Sequence, residues 1–475
     1  MNRICFAEFN LVESLEPRLA LALGAGAQEM YYPDGFANSA ITETVSITNA
    51  GMATVQYELW ARYETGQRDQ LIRSGSVAAG GWEDVAISDP AAPTAIAVRP
   101  NTPFSFVLKS DGQLTASLRH DDFGGSAGES FIPLASTDWS LANVTRDNAT
   151  RDFIVVYNTS SGVVQVQLEF WKDSTLAFSL STNLDAFRRG GWNINRLTDL
   201  PRGEYSVRIQ SSDNIVVGHS HFDLIRHISS INIATFNRGA LAGTILSGSF
   251  DERDQSGCGS NEDTLVAVFN PGDTEANVTL NYIVRDGSGF HPSPTELTIP
   301  AKGRKWVSMK QLGFIDHDVS IVWESDVRVA VVSYSQRAST FVATPSATVA
   351  ATEWTFASGF IDRVHASIMN TEDVLAFNPT DHDIDVTFTY TFRNGSTSTV
   401  TRTIGAFGVA DVDTDMPVQH IGAGHPFSLK VEATGPIVTS LEHWNHRRTS
   451  GQIAPQGTPG GTISVLSDVL VIPSP

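Results

Sequence analysis

Cysteine is nearly absent from this 475-residue chain, which carries two, Cys5 and Cys258. A fold stapled by several disulfides is thereby excluded, and stability has to come from packing. Cys5 lies in an N-terminal stretch that reads as an export segment, so a chain processed there keeps one thiol and no internal disulfide. Long apolar runs are missing as well: no stretch of about 18 apolar residues occurs, so no transmembrane span is expected. Charge is sparse, 18% of residues, and positive charge sparser still, with 32 Lys and Arg against 52 Asp and Glu for a net −20. Such a balance repels a phosphate backbone and argues against nucleic acid as a partner. It is equally compatible with solubility, salt tolerance and calcium association, and selects none of them. Catalytic signatures are lacking too. There is no Gly-x-Ser-x-Gly elbow and no His-Glu-x-x-His pattern, and Cys258 sits in QSGCGSNED, where acidic neighbours disfavour a thiolate.

What is present favours strands. Gly, Ser, Thr, Val and Asn are plentiful beside 41% hydrophobic residues, a mixture suited to short strands and tight turns. At roughly 100–200 residues per domain, the length suggests three or four domains.

An internal repeat sets that number at four. Apolar runs end at Asn49 (TVSITNAG), Asn158 (FIVVYNTS), Asn270 (TLVAVFNPG) and Asn378 (DVLAFNPT), spaced 109, 112 and 108 residues apart. A period-two strand follows each: VQYELWARY, VQVQLEFW, VTLNYIVRDG and VTFTYTFRNG, the last two closing on hairpin turn signals. Next come GGWEDVAI, GGWNINRL, GRKWVSM and FGVADVD, whose tryptophans Trp82, Trp192 and Trp306 read as core. Each unit closes on two apolar strands around a polar turn, opened by Ser105, Ser206, Ser320 or Ser428. This reads as a hairpin. Six or seven strand-like runs per roughly 110 residues, with almost no helical periodicity, require a two-sheet sandwich. The expected fold is therefore all-β, four tandem immunoglobulin-like antiparallel β-sandwich domains. Their expected spans are 28–137, 138–247, 248–352 and 353–456, after an N-terminal segment 1–27. A C-terminal linker, 457–475, holds ISVLSDVLVIP as an extra strand on the last unit or for a missing partner.

Two resemblances add to this reading. ESLEPRLAL, with Leu15, Glu16, Pro17, Arg18 and Leu21 in place and Ala20 replacing a leucine, resembles the LEPR-type motif at the N-terminus of large extracellular proteins of planctomycetes and related bacteria. That resemblance implies an export address and no activity. The fourth unit, with WTFASGF, LAFNPT and GPIVTSLEHW, resembles bacterial secreted or surface β-sandwich repeats of unknown function. The third unit keeps FNPG and VAVVSYS without the opening tryptophan, and the first two match in outline. The motif is structural and transfers no catalytic residue.

Two clusters of possible ligands stand out. GHSHFD places His219, His221 and Asp223 at alternate positions, on one face of an extended chain, and two imidazoles with a carboxylate suit zinc or copper, with His227 nearby. Against this, His221 aligns with His120, Ser335 and His443, a polar position shared by strand ends, and no other unit supplies an equivalent set. Asp411, Asp413 and Asp415 in DVDTD, beside Asp381, Asp383 and Asp385 in DHDID, are oxygen donors of the kind calcium takes, or solvated charges on a sheet edge. No cofactor is expected, calcium being the alternative. Paired carboxylates for glycoside hydrolysis would meet only in the fold, yet four copies of one small unit leave little room for a catalytic domain. The expectation is a non-enzymatic secreted or cell-surface repeat protein, a structural spacer or an adhesion module, whose partner is carbohydrate or a cell-surface protein. The alternatives are a carbohydrate-binding protein using Trp171, Trp323 or Trp444, a carbohydrate-active protein, and a metal-dependent enzyme built on His219, His221 and Asp223.

Overall fold

The computed structural model describes residues 27–38, 41–88, 98–122, 125–225, 228–251, 262–285, 290–315, 317–337, 340–364, 367–413, 425–445, 452–453 and 457–466. The LEPR-type motif, Cys5, Cys258, His227 and Asp415 lie outside them. The chain is all-β: its one helical element among the described residues is a three-residue 3-10 turn, Ile194–Arg196.

The first repeat shows the plan. Its strands in order are Gln28–Gly35, Thr42–Thr48, Val55–Arg62, Gln70–Val77, Trp82–Ser88, Phe104–Ser110, Thr115–Asp122 and the short Gly125–Ala127. The first, sixth, third and fourth pair in that order to make one sheet; the fifth, second, seventh and eighth make the other. The same pairings recur three more times, with first strands Ser136–Arg146, Ala240–Asp251 and Val349–Val364. The strand Ala240–Asp251 lies across the boundary expected at 247, because GALAGTILSGSF, which reads as a small-residue linker, pairs along the sixth strand of its own repeat.

The closing pair of strands is not a hairpin. In the last three repeats it is one continuous strand of 21 residues, Gly203–Asp223, His317–Arg337 and His425–Asn445. Its first half belongs to one sheet and its second half to the other. Gln167 pairs with Gln210 in the first, and Val156 pairs with Val217 in the second. The polar run between the halves marks the passage between sheets, where the chain has no core to face. Hence the seventh strand lies beside the second and the first beside the sixth, whereas the immunoglobulin order sets the first beside the second and the seventh beside the sixth. The architecture is an antiparallel sandwich with its own strand order.

Three recurring residues explain why the sequence repeats as it does. Asn49, Asn158, Asn270 and Asn378 are all fully buried. Asn158 Nδ2 donates to the carbonyls of Gly162, Leu184 and Asp185 at 2.8, 3.2 and 2.9 Å, and its Oδ1 accepts from Ser160 N at 2.9 Å. Asn270 and Asn378 make the matching set, and Asn49 two of the three donations. The side chain thus closes its own turn and ties it to the end of the fourth strand, satisfying buried carbonyls no strand reaches.

The serines sit opposite a β-bulge in the first strand, where two residues face one: Pro33 and Asp34 face Ser105, Ala142 and Asn143 face Ser206, and Leu246 and Ser247 face Ser320. Each hydroxyl donates to a bulge carbonyl, to Pro33 O at 2.7 Å, Ala142 O at 2.9 Å and Leu246 O at 2.5 Å. Ser428 occupies the same place opposite the bulge at Ala357.

A core tryptophan fills each of the last three sandwiches. Trp139 and Trp354, on first strands, pair with Ile209 and Val431. In the third repeat the first strand has Gly243 and the tryptophan stands across from it as Trp323, so the ring has changed strands without leaving the core. Trp82, Trp192 and Trp306 are half-buried, contrary to the expectation of core, because the fifth strand is a sheet edge. The C-terminal strand Thr458–Val465 pairs with Val349–Val364 and extends the last repeat.

Candidate functional site

His219 and His221 are held by a residue the sequence reading did not pair with them. Asp152, fully buried in the second strand, stands opposite His221 in register. Its Oδ1 lies 2.7 Å from His221 Nδ1 and its Oδ2 lies 3.1 Å from His219 Nε2, while Thr145 N donates to Oδ2 at 2.7 Å. Burial pushes the Asp152 carboxyl up, but the two imidazoles outweigh it and hold it well below the usual range; burial lowers His221, and Asp152 outweighs that to raise it. Asp223 instead closes a turn, accepting from Ile225 N at 2.9 Å. Among the described residues no group of three or more His, Cys, Asp and Glu is placed to hold a metal ion.

The pair is an element of the repeat. Glu43 stands opposite His120 with Oε1 2.9 Å from Nδ1, and takes Phe36 N at 3.0 Å as Asp152 takes Thr145 N. The third repeat puts Thr264 and Ser335 there, hydroxyls 3.3 Å apart, and the fourth sets Glu372 opposite His443. The carboxylate thus ties the seventh strand to the backbone entering the second. The signal was in the sequence: Glu43, Asp152, Thr264 and Glu372 each fall six residues before the repeated asparagine.

Among the described side chains the aspartates make separate contacts. Asp411 is exposed and pairs with Arg285 Nη1 at 3.1 Å. Asp413 ends the strand Val409–Asp413, opposite Asp373. Asp381 meets its neighbour His382 at 3.1 Å, and Asp385 accepts from Thr403 Oγ1 at 2.6 Å. Of the aromatics, Trp323 is fully buried, and Trp171 is packed at a junction between repeats with Lys302 Nζ 5.8 Å from its ring centroid. The Trp444 side chain lies outside the described set.

Those junctions give the molecule its shape. The sheet carrying the first strand of each repeat packs on the other sheet of the next. Between repeats one and two, Tyr31 meets Tyr157 at 5.8 Å, Ser220 Oγ donates to Asp34, and Arg189 reaches Glu64 at 3.1 Å. Between two and three, Arg304 Nη1 donates to Ala142 O at 3.0 Å and Asn143 Oδ1 at 2.5 Å, beside a cluster of Ala142, Ala267, Phe269 and Tyr334. Between three and four, Leu246 and Val322 pack with Leu375, Phe377 and Val438.

The fourth repeat meets the first in the same way. Thr48 Oγ1 donates to Ala357 O at 3.0 Å, and Arg393 pairs with Asp84 at 2.7 Å and lies 5.1 Å from the Trp82 ring centroid. Asp34, Ala142, Leu246 and Ala357 are all bulge residues, so the serine-fastened bulge is what each repeat presents to its neighbour. The array therefore closes into a ring. On the inside, Ile228–Ile233 touches Thr340–Pro345 and Gly125–Ala127, and Gln452–Ile453 touches the same two, so the eighth strands also complete a circuit.

Where the four repeats meet there is a cavity of about 270 Å³, lined by Phe131, Trp139, Ile233, Arg328 and Trp354 among others. Glu129 lines it too and is buried. Desolvation pushes its carboxyl up to about 8, against the pull of Ile233 N, which donates to Oε2 at 2.6 Å.

The fold and its junctions define a closed ring of antiparallel β-sandwiches. No family model matches the chain, and no curated protein matches it. Among solved structures, the Thermotoga maritima protein 1070 is similar to 23% of this chain over 94% of its own, at 18% identity and a TM-score of 0.20. The BSP domain of a biofilm-associated protein is 8% identical with a TM-score of 0.15, covering 93% of this chain and 94% of that one. A tetra-tandem repeat from the extending region of a large adhesion protein is 11% identical with a TM-score of 0.11, covering 92% and 99%. At these TM-scores the likeness assigns no function.

Proposed function

We propose that the chain is an exported, non-enzymatic interaction module of four sandwich repeats, acting at the cell surface or outside the cell on carbohydrate or on a surface protein. One observation carries the choice of module over spacer: the contact of the fourth repeat with the first through Thr48, Ala357, Arg393 and Asp84. A spacer works by reach, and a ring gives up the reach that four sandwiches in a row would have. The non-enzymatic reading is supported by the use of His120, His219 and His221 in cross-strand bonds to Glu43 and Asp152. Export is supported by the LEPR-type motif.

Small-angle scattering of the purified chain tests this reading. A compact 475-residue body has a radius of gyration of about 23 Å, whereas four ~100-residue domains of about 13 Å each, set end to end, give roughly 40 Å. A value near 40 Å would return the chain to the class of extended spacers.

A further inference from the structure

We propose that the cavity where the four repeats meet is a binding site for a small, uncharged, mostly apolar molecule of one or two rings bearing a carbonyl group, with Glu129 as its hydrogen-bonding partner. No single repeat contains this space: its walls come from the end of the first repeat (Phe131), the second (Trp139, Ile233), the third (Arg328) and the fourth (Trp354). Ring closure is what creates it. At about 270 Å³ it exceeds the roughly 150 Å³ that holds benzene and approaches the smaller ligand pockets of proteins, about 300 Å³.

The chemistry of the wall selects the ligand. The indole N–H groups of Trp139 and Trp354 are committed to Ile215 O at 3.0 Å and Ile437 O at 2.9 Å, so both rings offer the cavity carbon. Arg328 Nη1 is engaged by Gly239 O at 3.1 Å. Glu129 is the acid among these residues, more than nine-tenths buried, with Ile233 N on one oxygen. A buried carboxyl in apolar surroundings keeps its proton, and a neutral acid donates that proton to a carbonyl. Arg328 is the one cation among the described residues of the wall and its Nη1 is held by Gly239 O, so an anionic ligand would meet Glu129 and trade its water for that single, partly committed guanidinium.

The test uses prodan, a neutral two-ring ketone whose emission shifts to the blue in apolar surroundings and which takes energy from nearby tryptophan. The full chain is expected to bind one prodan saturably, with blue-shifted emission excited through tryptophan. Val349→Trp, which fills the cavity from its wall, is expected to weaken binding at least about tenfold while the melting midpoint stays in place. Thr348→Phe, at the neighbouring wall position, repeats the test should the first variant fold poorly. Glu129→Leu keeps the apolar space and removes the donor, and is expected to cost about tenfold in affinity. Absence of saturable binding, or equal affinity in the filled variants, would overturn the site. Equal affinity in Glu129→Leu would overturn the role of the acid. A scattering radius for an extended chain, measured separately, would bear on the ring itself.

Discussion

Arg393 of the fourth repeat lies 2.7 Å from Asp84 of the first, 309 residues earlier in the chain, and covers the Trp82 ring. A second junction arginine, between the second and third repeats, is Arg304, which reaches Ala142 O, Asn143 and Glu204. The two differ in exposure: the Arg393 side chain is 64% exposed and that of Arg304 15%. Exposed ion pairs contribute about 0–1 kcal/mol, while stripping a buried cation from several acceptors costs about 2–4 kcal/mol. Arg393→Ala is therefore expected to leave the thermal midpoint within a few degrees of the parent. Arg304→Ala is expected to lower it clearly, and equal shifts would mean that burial does not grade the junctions.

The repeated asparagine offers an internal control. Asn158, Asn270 and Asn378 each donate to three carbonyls and Asn49 to two. Replacement by alanine strands these buried acceptors, at about 1–3 kcal/mol for the group left without a partner. In denaturant titrations the three later variants should each lose more than Asn49→Ala. The reverse order would show that the third donation, to Asp185, Pro300 or Gly405 just past the fourth strand, adds nothing to what Asn49 already secures through Ala53 and Val77.

Much of this was legible in the sequence, for a physical reason. Asn, Ser and His recur because each satisfies a backbone or cross-strand need that the strand order creates in every repeat. The partner of the histidines was missed because Asp152 and His221 are 69 residues apart and pairing is a property of register, which strand order decides. That order was misread where a polar run, SSDN in the second repeat, looked like a turn and is a passage between sheets. Ring closure recurs in place and not in residue type: the residue before each repeated asparagine, Tyr157, Phe269, Phe377 or Thr48, stands at a junction. Its contacts are made by different residues at each junction, Arg189, Arg304, Leu375 and Thr48, and nothing in a single sequence tells a junction arginine from a solvated one.

The Asp152 and His221 pair gives stability a defined pH dependence. His221 is raised in the folded state, so its contribution is complete below the unfolded value of about 6.5 and is lost as pH rises through the folded one. Asp152 is lowered, so its contribution is present above the unfolded value of about 3.9 and is lost as pH falls through the folded one. Together they favour the weakly acidic range. His221→Gln should flatten the loss of stability above about pH 6.5, read from melting midpoints at pH 5.5 and 8.5. Asp152→Ala, which leaves both imidazoles and Thr145 N without their acceptor, should cost about 3–5 kcal/mol.

Gly243 and Trp323 face each other in register, and a Cβ added to Gly243 would lie 2.6 Å from Trp323 Cζ2. Trp323 is fully buried, so the ring has nowhere to retreat. Gly243→Ala should therefore cost about 1–3 kcal/mol, the usual penalty for overfilling a packed core. Trp323→Val alone should cost about 3–5 kcal/mol by opening a cavity. The second and fourth repeats show how the two changes compensate, since there the ring stands on the first strand and Ile209 or Val431 stands opposite. The double variant Gly243→Trp with Trp323→Val rebuilds that arrangement. Its loss in denaturant titrations should be smaller than that of Trp323→Val alone, a coupling that a double-mutant cycle measures directly. Additive losses would mean that the third core is shaped around its own tryptophan and does not share an interchangeable layer with its neighbours.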